Sequence, residues 1–340
     1  IIGKYRVHLY NAETGKKKVN YRGCFKKRKL QQDNNNTLQP FDPTGNELVI
    51  LDEKRDAISL TTYNMESGQK EKTDITQFQR VVDLSFANNP RVLAMSAINR
   101  GQSDIYLFNL QTKRVTQLTN DFYDDLMPAY VDLGGREGYV FLSNRTHDTL
   151  QVSRTDTILA TGTYDLYFIE QGQGRPETVL NLTNTPDINE TQPGQITDGH
   201  FAYLSDQSGI MNRYAGYIDS IFSHFEYRVY YTDSTITYPT RLLEGADSML
   251  TADQAIIDSF KYYEVFKDTA YTFTVTNYSR NILEHDLLHR GGAVLDLVKS
   301  NGQYVFYETR LPDTLIMAEA PVLPETTFRK KWREGKAVDP

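Results

Sequence analysis

The sequence holds a single cysteine, Cys24, in 340 residues. One thiol excludes an internal disulfide framework and any metal site built from clustered cysteines. No run of about 18 apolar residues occurs, so no membrane-spanning helix is expected. Basic residues are in deficit: 37 Lys and Arg stand against 44 Asp and Glu, a formal net charge of −7. That balance argues against a nucleic-acid partner, because binders of nucleic acid carry a basic surplus. There is no Gly-x-Ser-x-Gly elbow and no phosphate-binding Gly-Lys-Ser/Thr loop. Gly172-Gln173-Gly174 is followed by Pro176, where a dinucleotide-binding helix would have to open. The sequence therefore predicts no cofactor, no metal and no catalytic residue. The chain begins at Ile1 without Met or a signal peptide, and it reads as a processed or partial chain.

What is present points to β-structure. Apolar residues make up 39%, enough for a core. The 23 Tyr and 16 Phe, with many Thr and Val, fit a pleated, half-buried surface. Three short units recur in the same order. The first is a hairpin centred on Asn: Leu9-Tyr10-Asn11-Ala12-Glu13-Thr14-Gly15, Thr62-Tyr63-Asn64-Met65-Glu66-Ser67-Gly68 and Leu107-Phe108-Asn109-Leu110-Gln111-Thr112-Lys113, with a looser copy at Leu166 to Gly172. The second closes a strand on Thr-Asn: Leu118-Thr119-Asn120, Leu182-Thr183-Asn184 and Val275-Thr276-Asn277. The third precedes the hairpin: Val140-Phe141-Leu142-Ser143-Asn144-Arg145 and Phe201-Ala202-Tyr203-Leu204-Ser205-Asp206, with a weaker copy at Leu93 to Ser96. Successive hairpin Asn residues are 53 and 45 positions apart (64 − 11 and 109 − 64). Four short antiparallel strands repeated at that period make an all-β fold, a β-propeller of four-stranded blades. The rival, a β-sandwich of meandering hairpins, gives no reason for three motifs to keep one order.

The expected blade map starts and ends in mid-blade, with about five to six blades, partial or closed by joining the terminal halves. Residues 3–23 supply the last two strands of one blade. Residues 37–75, 81–120 and 126–184 form three more. A further blade opens near Thr191, and the first two strands of the last fall at 294–298 and 304–307. Two insertions interrupt the pattern, at Thr146 to Thr163 and at about 219–269. The second is expected to hold a hairpin, Tyr227 to Tyr231 with Thr235 to Tyr238. It is also expected to hold a helix capped by Thr251, with Ala255, Ile256, Phe260, Tyr263 and Phe266 on one face. Propeller residues thus run over 1–320, and residues 321–340 read as an extended basic polar tail.

Candidate chemistry is sparse. His285 and His289 stand four apart, but Asp286 follows the first where a zinc hydrolase needs Glu, so a polar connection is expected. Asp121, Asp124 and Asp125 lack the alternating ligands and central Gly of a calcium loop and read as a solvated turn. Cys24 among cations reads as a passive thiol. Lys16 to Lys18 and Lys26 to Lys29 read as charges guarding strand edges.

The motifs Leu-Tyr-Asn-x-Glu-Thr-Gly, Gln-Leu-Thr-Asn and Phe-Leu-Ser-Asn-Arg resemble the repeats of TolB-type β-propellers, particularly large propeller proteins of the Bacteroidota cell envelope. That resemblance implies a non-catalytic binding scaffold of the periplasm or outer membrane, exported and part of an envelope complex. The pattern Asp-(Ser/Thr)-(Ala/Ile/Leu/Met/Val) occurs six times. It is similar to an O-glycosylation acceptor of exported Bacteroidota proteins, which marks Thr149, Thr157, Ser220, Ser248, Thr269 and Thr314 as candidate acceptors.

Blade geometry locates the candidate binding surface. In an up-and-down blade the connection from the fourth strand to the next blade and the turn between the second and third strands share one end. That rim is expected to present Arg55, Arg100, Tyr123, Asp125, Arg145, Asp206, Tyr278 and Arg280 to a protein or peptide partner. Two other functions fit the composition: a carbohydrate-binding or glycoside-processing propeller with paired carboxylates at its channel mouth, and a propeller that gates a hydrolase elsewhere.

Overall fold

The computed structural model describes residues 2–10, 16–26, 42–54, 57–148, 150, 162–172, 178–231, 235–239, 257–288, 292–312, 315 and 320–336. The chain divides into two compact units: Ile1–Gly216 with Thr272–Pro340, and Tyr217–Tyr271.

The first unit is a succession of antiparallel sheets. β1 (Ile2–Tyr10) pairs with β2 (Lys17–Lys26). β3 (Glu47–Lys54), β4 (Ala57–Asn64) and β5 (Lys70–Ile75) form a three-stranded sheet. Two complete blades follow, in which sheet order equals chain order. One is β6 (Arg80–Phe86), β7 (Val92–Asn99), β8 (Gln102–Asn109) and β9 (Val115–Gln117). The other is β10 (Asp125–Asp132), β11 (Glu137–Ser143), β12 (Asp165–Glu170) and β13 (Leu180–Asn181). β14 (Glu190–Thr197), β15 (His200–Ser205) and the start of the long β16 (Asn212–Tyr231) open the next sheet. The end of β16 pairs with β17 (Thr235–Pro239), forming the expected hairpin, and β18 (Ile257–Thr274) pairs along β16. A last sheet holds β19 (Ile282–Leu288), β20 (Ala293–Ser300) and β21 (Gln303–Arg310). The chain is an all-β propeller of four-stranded antiparallel blades.

Burial distinguishes this fold from a sandwich. Successive strand residues point to opposite faces, so a strand buried at every position has both faces covered. Val140, Phe141 and Leu142 are all buried, as are Phe201, Ala202, Tyr203 and Leu204. The cores accordingly lie between sheets. Leu60 and Ile75 pack with Leu93, Met95 and Phe108, whereas Ala94 and Ile105, on the other face, pack with Tyr139, Phe141 and Tyr167. Leu204 meets Ile282 and Val298 in the same manner.

The recurring motifs have physical causes. The Thr of each Leu/Val-Thr-Asn unit accepts a backbone amide of the third strand: Ile105 N to Thr119 Oγ1 at 2.9 Å, Leu166 N to Thr183 Oγ1 at 2.8 Å and Arg213 N to Thr276 Oγ1 at 2.9 Å. A side chain thus supplies an acceptor where the fourth strand stops. The hairpin Asn forms an Asx turn, Asn64 Oδ1 accepting from the amides of Glu66 and Ser67, and Asn109 Oδ1 from those of Gln111 and Thr112. First strands are tied to one another at bulges. Ser85 Oγ donates to Pro128 O at 2.6 Å, and His285 bonds Gln192 O through Nε2 at 2.7 Å.

Three expectations need correction. From Ile257 to Phe266 the insertion is strand, not helix, and the proposed cap Thr251 with Ala255 and Ile256 lies outside the described residues. Aromatics are so dense here that helical spacing fits by coincidence, while Phe, Tyr, Val and Thr favour extended backbone. In the last sheet, 294–298 and 304–307 belong to the second and third strands, because β19 precedes them. The tail is not wholly extended: Thr327–Lys336 forms α1. Thr326 caps it by accepting the Arg329 amide at 3.2 Å, and the Thr326 amide donates to Ser208 O at 2.8 Å.

Candidate functional site

Strand register brings the rim together within each sheet. Asp125, at the start of β10, lies opposite Ser143, at the end of β11, and Ser143 lies opposite Asp165, at the start of β12. Connections that enter a blade and turns between its second and third strands therefore share an edge. Arg100 is exposed in the turn after β7, with φ of 54°. Arg280 is exposed and donates from Nη1 to Ser300 Oγ at 2.6 Å. Tyr123, Asp206 and Tyr278 are half-buried. Asp206 receives the amide and the side-chain Nδ2 of Asn189 at 2.9 and 2.6 Å, so it ties a turn to the connection entering its blade. Tyr278 donates its amide to Asn212 Oδ1 at 2.8 Å and its hydroxyl to Asp296 Oδ2 at 3.3 Å. Arg55 lies outside the described residues.

Asp125 and Arg145 depart from the expected exposed rim. They are 0% and 3% exposed. Arg145 Nη2 reaches both Asp125 oxygens at 2.8 Å and Asp121 Oδ2 at 3.2 Å. Its guanidinium also lies over the rings of Tyr123, Phe141 and Tyr167 at 5.6, 5.5 and 5.4 Å. Nor are these acids a solvated turn: Asp121 is buried beside Asp125, and Asp104 of β8 joins them, while Asp124 alone of the sequence cluster is exposed. Burial, then the charges of Asp125 and Asp121, push the Asp104 carboxyl up to about 7. Burial outweighs Arg145 and lifts Asp125 to about 6. Among the described residues, Asp104, Asp121 and Asp125 are the acids whose geometry suits a metal ion.

Two further polar clusters lie in the next seams. Glu190 is buried and accepts from Thr183 Oγ1 at 2.6 Å and Thr185 Oγ1 at 2.9 Å. Burial raises it from 4.5 to about 7. Arg213 forms a buried pair with Asp296 and donates from Nε to His285 Nδ1 at 3.2 Å. Burial and the Arg213 charge push His285 down to about 3, so it is neutral and its Nε2–H donates to Gln192 O. His289, its sequence partner, lies outside the described residues, as does the side chain of Cys24.

Sequence reasoning named Tyr123 on this rim but missed Phe122, His147 and Tyr164. Phe122 is 49% exposed. In the same connection the Tyr123 hydroxyl meets His147 Nε2 at 3.0 Å with the rings edge-on, and Tyr164 donates to Asp124 Oδ2 at 3.4 Å. The available signal was the pair Phe122-Tyr123 inside an otherwise polar connection. Of the glycosylation candidates, Ser220 is exposed and donates to Asp268, Thr269 is half-buried, and Thr149, Thr157, Ser248 and Thr314 lie outside the described residues.

No protein-family model matches the chain, and no curated protein does. Solved structures do match. TolB from Acinetobacter baumannii aligns over 92% of this chain and 62% of its own length, at 13% identity and a TM-score of 0.47. This chain thus spans about three fifths of that protein. A putative TolB from Agrobacterium tumefaciens aligns over 77% of this chain and 69% of its own, at 13% identity and a TM-score of 0.45. The tricorn protease aligns over 91% of this chain and 28% of its own, at 14% identity and a TM-score of 0.44.

Proposed function

We propose that the chain is a non-catalytic propeller that binds a protein partner through the loop rim at its third and fourth blades. The observation that carries this reading is the exposed Phe122, set on a connection whose neighbours Asp121 and Asp125 are buried. Tyr123 follows it in the chain and meets His147, and Arg100 is exposed on a turn of the same rim. An aromatic side chain held out by a fixed backbone gives contact area at small entropic cost, and Tyr and Arg are frequent anchors of interfaces. The repeat motifs favour the periplasm or outer membrane as the compartment and an envelope complex as the assembly. The six Asp-Ser/Thr motifs favour O-glycosylation, for which Ser220 is the exposed acceptor among the described residues.

The test is co-purification of native chain and of the variant Phe122→Ala with Arg100→Ala. The wild type retains a partner that the variant loses by at least about tenfold, the effect of removing an interface anchor. Equal retention by both, or glycoside hydrolysis by the purified chain, contradicts the reading. Intact mass decides the modification: a mass equal to the bare chain removes it.

A further inference from the structure

The seam between the third and fourth blades buries more negative charge than its one guanidinium neutralises. Asp104 and Asp121 are 2% and 4% exposed, and Asp125 is fully buried. Each offers a carboxylate oxygen within 4.8 Å of those of the other two. Arg145 is engaged chiefly with Asp125, whose two oxygens both contact its Nη2. Other donors also reach the cluster, Ser143 bonding Asp125 and the Asp121 backbone bonding Asp104. Asp121 Oδ1 accepts the Tyr123 amide at 3.0 Å, and Asp104 Oδ2 accepts Gln117 Nε2 at 3.1 Å and the Tyr106 hydroxyl at 3.4 Å. Asp104 Oδ1 is buried without a hydrogen-bond partner, as is Arg145 Nη1, whereas Asp121 Oδ2 faces Arg145 Nη2 at 3.2 Å. A buried carboxylate oxygen left without a donor is costly, so Asp104 Oδ1 calls for a positive partner.

We infer that Asp104, Asp121 and Asp125 form a binding site for a divalent cation of the calcium class, with Asp104 Oδ1 as its open ligand atom. The donor set is all oxygen, which selects hard cations. Carboxylates held by the protein favour the larger ion: calcium takes oxygens at about 2.3–2.6 Å in flexible geometry, whereas magnesium demands a near-ideal octahedron and keeps several waters. Charge agrees as well. Three carboxylates and one guanidinium sum to −3 + 1 = −2 when ionised, which one divalent cation balances. Asp104 comes from β8, Asp121 from the connection into β10 and Asp125 from the start of β10, so the ion ties two blades together and fixes the backbone that carries Phe122. This inference does not rest on the protein-binding reading.

The test uses the whole chain, stripped with EDTA and titrated with calcium, and separately with magnesium, by calorimetry. Melting temperature is followed in parallel, together with terbium luminescence, which Tyr106 sensitises from its contact with Asp104. The expected result is one calcium per chain, terbium emission quenched by calcium, and a melting temperature raised by about 3 °C or more at calcium a hundredfold above its Kd. Asp104→Asn loses all three responses, while Asp124→Asn, the exposed neighbour, keeps them. Stripped wild type that gives no heat and no thermal shift overturns the inference, as does an equal response from Asp104→Asn. A seam that responds to pH but to neither cation holds protons instead, which also overturns it, and binding of magnesium without calcium overturns the assigned class.

Discussion

At the scale of single residues, the seams are governed by desolvation of acids. Glu190 shows the effect apart from the aspartate cluster. Its carboxyl is raised from 4.5 to about 7, with burial the largest cause and the Thr183 and Thr185 hydroxyls opposing it. The folded chain therefore holds that proton more tightly than the unfolded chain does. The resulting stability is fully present below about pH 4.5 and is lost as pH rises through about 7, an effect on the order of 3 kcal/mol. Urea midpoints measured from pH 5 to 8 should fall for wild type and fall less for Glu190→Gln, whose neutral amide needs no proton; parallel profiles would contradict this account. Ion pairs should divide by burial. Arg145→Met strands buried carboxylates and should cost about 3–5 kcal/mol. Arg136→Met breaks the largely exposed pair with Glu170 at 2.7 Å and should cost less than about 1 kcal/mol. Similar urea midpoints for the two variants would refute the ranking.

At the scale of elements, local chemistry and tertiary partners divide what could be read in advance. The four-strand blades were legible because Thr119, Thr183 and Asn109 each satisfy a backbone amide at a fixed place, and such roles leave one residue type in register with each repeat. The strand β18 was not legible, because its extended form depends on pairing with β16, a partner distant in sequence. Helix α1 was missed for a related reason. Its cap, Thr326, is held by Ser208 O, and Arg329 Nη1 donates to Asp187 O at 3.0 Å. Gly209 sits under this junction with φ of 90°, and a Cβ there would overlap the Thr326 hydroxyl. Gly209→Ala should therefore release α1, speeding tryptic cleavage at Lys330 and Arg333 while leaving the sheets protected. Unchanged cleavage would show that α1 does not depend on this contact.

At the scale of the whole molecule, a repeat encodes its scaffold more plainly than its site. The rim was deducible as a place, since strand polarity alone puts connections and turns on one edge. Which side chains face outward was not. Asp125 and Arg145 share the motifs of an exposed turn, yet they are buried because Asp104 of the preceding blade supplies a third wall that no local pattern records. Phe122 is open because the residues flanking its connection are anchored inward. Photo-crosslinking in the native host cells tests the central claim most directly, with a crosslinking residue at position 122 compared with one at 135, in the turn between β10 and β11. The account predicts one discrete partner captured from position 122 and none from position 135. Equal capture from both positions, or capture from position 135 alone, would contradict it.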